Sequence, residues 1–234
     1  MRVVAATSFL IAALLSAQAV AQIPPPPPNE PPPSQVGPHR VRGTVVSFDG
    51  KLLSVRSDGG ETVAVSVTPT TIYLYNEPRK VSDIHDGDFL GVAAVPGSDG
   101  KLHAQDVRIF PEQLRGMGEG QYPMGDPSAN RSMTNATVVQ VTAVARGGTL
   151  KLTYHGAGAV GDPQCTGHAA KDGNGCVGAT EIAVAPGVPV LAYLMGSASA
   201  LVPGATVSMV VDTGPDGGLI APRLLVEHNG VKPI

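Results

Sequence analysis

Three thioethers, Met117, Met124 and Met133, sit 7 and 9 residues apart in one glycine-rich stretch. Soft sulfur ligands of this kind hold Cu(I) or Ag(I), so metal handling is one chemistry open to the chain. A second cluster, Asp83, His85, Asp86 and Asp88 in SDIHDGD, has the groups for acid–base or calcium chemistry. The third is the pair Cys165 and Cys176 in CTGHAAKDGNGC. In an oxidising compartment, two cysteines so close together read as a disulfide closing a loop of about 12 residues, worth about 3 kcal/mol. A metal or redox dithiol is the alternative, with His155 and His168 near enough in sequence to join a reduced pair. Redox pairs favour a two-residue spacing and ligand clusters need more than two donors, so the disulfide is the expected state.

The elements that carry these clusters are short β-branched runs punctuated by turns. From Val41 they read VRGTVVSF, LLSVRS, ETVAVSV, TTIYLY, FLGVAAV and KLHAQDVRIF, with turns at Asp49-Gly50, Asp58-Gly59-Gly60 and Ser98-Asp99-Gly100. The same order recurs. Thr44-Val45-Val46 corresponds to Thr137-Val138-Val139, and Leu53-Ser54-Val55 to Leu150-Lys151-Leu152. Asp83 through Ile109 lies without a gap on Ala200 through Val226, an offset of 117 that pairs Gly87 with Gly204 and Asp99-Gly100 with Asp216-Gly217. An internal duplication accounts for this, with the cysteine loop inserted between the second and third strands of the second copy.

The duplication also weighs the chemistry. His85 falls on Val202 and His103 on Ile220, so the copies share no histidine site. SDIHDGD falls on SALVPGA, which lacks every titratable group, and reads as a single helical turn ended by Gly87 or Gly204. No residue is assigned a catalytic role and no cofactor is expected. Asn130-Arg131-Ser132 and Asn135-Ala136-Thr137 match glycosylation sequons, a pattern that arises often by chance.

The chain opens with Arg2, an apolar run through Leu15 and the small residues Ala19-Val20-Ala21. This is the pattern of a secretory signal peptide over residues 1–21, too short in its apolar part to cross about 30 Å of hydrocarbon. Its removal leaves 15 Lys+Arg against 19 Asp+Glu. No transmembrane anchor is expected, and the protein is placed in the periplasm or secreted. Residues 22–40 are proline-rich, with eight prolines in two runs, and read as a polyproline linker or spacer. Nucleic acid is an unsuited partner. Tyr73 and Tyr75 share a strand face and Tyr75 is matched to Tyr193, but the net charge is negative and no basic groove accompanies them.

The repeat, G-x-V, L-x-V, V-x-V, Thr-x-I, D-I-x-x-G-D and A-x-x-V-R, resembles a bacterial exported domain of unknown function with an OB-like barrel fold, present here twice between Val41 and Val226. The second copy departs from it at Gly204-Ala205. The shortness of the repeats and the resemblance point to an all-β chain of two small OB-like β-barrels, five to six strands each, at residues 41–110 and 134–230, with a β-sandwich of the same strands as the alternative. Residues 111–133 would form an ordered inter-domain strap. Its Leu114, Arg115, Glu119 and Tyr122 are the expected seam or partner site, with Arg115 and Glu119 pairing with each other or across the barrels. The function expected is a non-enzymatic binding or scaffolding protein for a periplasmic protein or small ligand. A Cu/Ag-handling protein and an unrecognised hydrolase are the alternatives.

Overall fold

The computed structural model describes residues 39–124, 130–144, 147–156, 168–169 and 175–233. These belong to the unit Val36–Ile234, and they form strands and short 3-10 turns with no α-helix among them. No helix in the described residues is long and apolar enough to cross a membrane.

In chain order the strands are β1 (His39–Phe48), β2 (Leu52–Ser57), β3 (Thr62–Arg79), β4 (Phe89–Pro96), β5 (Leu102–Ile109), β6 (Gly120–Pro123) and β7 (Ser132–Val144). There follow β8 (Gly147–Gly156), β9 (His168–Ala169), β10 (Cys176–Val184), β11 (Val190–Met195), β12 (Thr206–Thr213) and β13 (Leu219–Val226). Side-chain alternation is cleanest in β8, where Leu150, Leu152 and Tyr154 are buried while Lys151, Thr153 and His155 are exposed. β4 is buried from Phe89 through Ala94, as expected of a strand covered on both faces.

The ladder closes into rings of five strands. One ring runs β1–β2–β3–β13–β12 and back to β1, with β3 and β13 parallel. A second circuit of pairings runs β7–β8–β10–β5–β4 and back to β7, with β5 and β10 parallel. Each encloses its own apolar core. Val45, Leu53, Val55, Val65, Val207 and Leu224 fill the first. Val138, Leu150, Leu152, Ile182, Leu90 and Val107 fill the second.

This closure corrects the expected division of the chain. β4 and β5, inside residues 41–110, do not return to β1–β3 but complete the ring of β7, β8 and β10. β12 and β13 complete the ring of β1–β3 in turn. The reason lies in β3, which at 18 residues continues past its ring so that Leu74–Arg79 pair with β11. The crossover after it therefore starts beside the other ring.

The two crossovers are built alike. Each holds a 3-10 turn, Val81–Asp83 or Ala198–Ala200, and then a glycine with positive φ, Gly87 at 90° or Gly204 at 92°. Gly87 N–H donates to Val138 O at 2.9 Å and Val138 N–H to Asp88 O at 2.8 Å. Gly204 N–H donates to Val45 O and Val45 N–H to Ala205 O, both at 2.9 Å. The expected helical turn is thus a three-residue 3-10 turn in both places. The parallel ladders refine one match: Val107↔Val190 answers Leu224↔Tyr73, which sets Tyr193 against Asn76 and not Tyr75.

Candidate binding face

Apolar side chains fill both ring interiors. The outer face of β7, β8 and β10 forms an open groove of about 630 Å³. Ladder register places its side chains in rows: Gln140, Lys151 and Glu181 are opposite one another, as are Thr153 and Ala179. Val139 is unpaired at a bulge between Val138 and Gln140, so that it and Gln140 both face outward, Val139 54% exposed. Asp86, at the groove's rim, accepts a hydrogen bond from Val141 N–H at 3.1 Å and ties the crossover to β7. Lys101 Nζ lies 3.3 Å from Glu181 Oε1, an exposed pair that orients more than it stabilises. The face thus offers hydroxyl, amide and mixed charged groups around an apolar spot.

The corresponding bulge in β1, between Val45 and Ser47, leaves Val46 44% exposed. Reading the residues alone missed this groove. The available signal was the repeated Thr-Val-Val, since strand alternation puts one of two consecutive valines on the outer face.

The strap residues lie elsewhere. Leu114 is buried at the end of the 3-10 turn Glu112–Leu114, and β6 pairs with Ser132–Asn135 of β7. Arg115 bonds Glu112 and not Glu119: its Nε donates to Glu112 Oε1 at 2.7 Å and its Nη2 to Gly87 O at 3.0 Å. The guanidinium hydrogen bond holds the Glu112 carboxyl below its ordinary range. Glu119 Oε1 instead accepts from His155 N–H at 3.0 Å. Asn135 Nδ2 points at the carbonyls of Met117 and Gly118 and at Tyr122 Oη, all within 3.2 Å, and so fastens the strap backbone to β7.

Burial raises the Tyr122 phenol above its ordinary value near 10, with Arg223 opposing. The folded chain holds this proton more tightly than the unfolded one. Its stabilising effect is therefore complete below about pH 10 and is lost as pH rises through the higher folded value. Tyr122→Phe is expected to lower stability at pH 7 by about 1 kcal/mol through the lost bond, with the gap to wild type narrowing above pH 10. Urea melts that stay a constant distance apart from pH 8 to 11 would exclude the phenol as the cause.

Of the three methionines, Met117 directs its thioether at Arg223, whose Nη1 donates to Sδ at 2.8 Å. A guanidinium at the sulfur disfavours a Cu(I) or Ag(I) ion there. Met133 stands opposite Tyr122 in the ladder, and Met124 N–H donates to Arg131 O. Asp83 and Asp88 accept from the backbone N–H groups of Lys80 and His85, so these carboxylates act as turn caps. Among the described residues no group of three or more His, Cys, Asp or Glu gathers in a metal-binding arrangement.

Cys176 is buried at the start of β10, while Cys165 and its pairing lie outside the described residues. Alkylation of the exported chain without reductant is expected to add no label to its intact mass, and two labels would rule out the disulfide. No protein-family model, curated protein or solved structure matches the chain.

Proposed function

We propose that the chain is an exported, non-enzymatic binding or scaffolding protein made of two OB-like barrels from duplicated segments, which holds its ligand on the outer face of β7, β8 and β10. The supporting observation is the contrast between packed ring interiors and this open, polar-rimmed sheet face. OB-like barrels characteristically bind extended ligands across the face of their second and third strands, the positions β8 and β10 take in their ring. Export rests on residues 1–21, whose apolar run and small-residue end fit a cleaved signal.

Photocrosslinking in cells tests the reading. A crosslinker in place of Thr153 or Ala179 is expected to capture a defined species, and one in place of Asp216, in the β12–β13 turn, to capture none. Equal yields from all three positions, or a species captured only from Asp216, would remove the groove as the binding face.

A further inference from the structure

We propose that the edge of β1 at His39–Arg42, on the side away from β12, is a docking slot for an extended acidic strand of a partner protein. The slot is separate from the groove and does not depend on it.

The inference comes from comparing β1 with β7. Both strands bulge at the same Val-Val step and receive the same pair of crossover hydrogen bonds, so they occupy equivalent places in their rings. On β7, residues Ser132–Asn135 are flanked by β4 on one side and β6 on the other. On β1, His39–Arg42 pair with Val211–Ser208 of β12, while β2 joins only at Gly43. Among the described residues no strand fills the place that β6 takes on β7.

Backbone direction shows that this edge can accept a strand. The N–H and C=O of Val45 both bond the crossover on the β12 side, whereas Arg42 O accepts from Asp58 N–H on the β2 side at 3.0 Å. By strand alternation the N–H and C=O of Arg40 also point to the β2 side, as does the N–H of Arg42. An edge of this kind is the template for strand addition, in which main-chain bonds supply affinity and alternate side chains supply choice.

Charge selects the occupant. Arg40 is exposed and forms no ion pair among the described residues, while Arg42 sits 3.4 Å from Asp58. Arg40 and Arg42 share the outward face, and Arg56 lies opposite Thr44 on it. An incoming strand with carboxylates on this face meets opposite charge, and one with lysines meets like charge. The stretch that precedes β1 in sequence is ill suited to such a ladder, because residues 24–28 and 31–33 are prolines without an amide hydrogen.

The test uses the chain lacking residues 1–21 and a synthetic peptide of four Thr-Glu repeats, read by amide hydrogen exchange at Arg40 and Arg42. Saturating peptide is expected to slow exchange at both amides by about tenfold or more. Methylating alternate peptide nitrogens on the bonded edge is expected to abolish the protection. A Thr-Lys peptide, or Arg40→Glu in the protein, is expected to weaken binding by about fivefold. Three results would overturn the proposal. One is unchanged exchange at millimolar peptide. Another is protection without peptide that vanishes in a chain beginning at Val36, which would assign the slot to the chain's own N-terminal segment. The last is protection without peptide that grows with protein concentration, which would assign it to a second copy.

Discussion

A chain cut between Met124 and Asn130 is expected to remain one particle. The two halves are joined by more than the strap, because each ring draws strands from both. β12 and β13 of the second half pair with β1 and β3 of the first, and β4 and β5 of the first half pair with β7 and β10 of the second. β11 adds a further ladder to β3 and β5. Separating the halves would open both rings and expose both cores at once. A protease site placed between these residues, followed by size exclusion, decides the matter: the fragments should elute together in buffer and apart in denaturant. Two contiguous barrels would instead separate on cutting. Fragments that part in buffer would therefore refute the exchanged closure.

Leu224→Ala should destabilise the half of the chain that does not contain it. Leu224 is fully buried in the core of β1–β3 together with Val55 and Val65, although it lies in β13, more than 140 residues later in the chain. Truncating a buried leucine costs about 2–5 kcal/mol, through lost transfer energy and the cavity left behind. That is a large part of the stability of a small domain, about 5–15 kcal/mol in all. Hydrogen exchange should quicken first in β1, β2 and the first half of β3, with β7, β8 and β10 following only through global unfolding. Early loss of protection in β8 and β10, with β1 and β2 unchanged, would place Leu224 in the wrong ring.

Much of the local structure was legible in the residues. The Asp99-Gly100 and Asp216-Gly217 turns illustrate why. Each glycine takes a positive φ, 76° and 80°, and each aspartate accepts at 3.1 Å from the N–H two residues on. Short polar side chains and glycine specify such turns with little help from the rest of the chain. Strand phase was legible for a similar reason, since Leu53 and Val55 match Leu150 and Leu152 in burial as well as in sequence. The strap was harder. Its buried Leu114 suits an ordered segment, but partner choice among Arg115, Glu112 and Glu119 depended on how the turn at 115–118 is wound.

Strands, their buried faces and their turns could be read from the residues alone, because these follow from interactions a few residues apart. Which strand pair closes which ring, and hence where the β7–β8–β10 face and the open edge of β1 lie, comes from long-range pairing. Local patterns cannot settle that choice, since β4–β5 and β12–β13 carry nearly the same signals. It depends on the length of β3, which runs past its own ring to pair with β11, and on side chains that differ between the two segments where the rings meet. There Arg108 is buried, its Nε bonded to Asp106 at 3.1 Å and its Nη1 to Asn76 Oδ1 at 3.2 Å, with the guanidinium 5.7 Å over the Tyr193 ring. Leu225 stands at the position aligned with it in the second segment. A buried cation needs its particular partners, whereas a leucine does not. Arg108 therefore favours the arrangement that brings β5 beside β11 and Asn76, a preference that appears only once residues distant in the chain share one site.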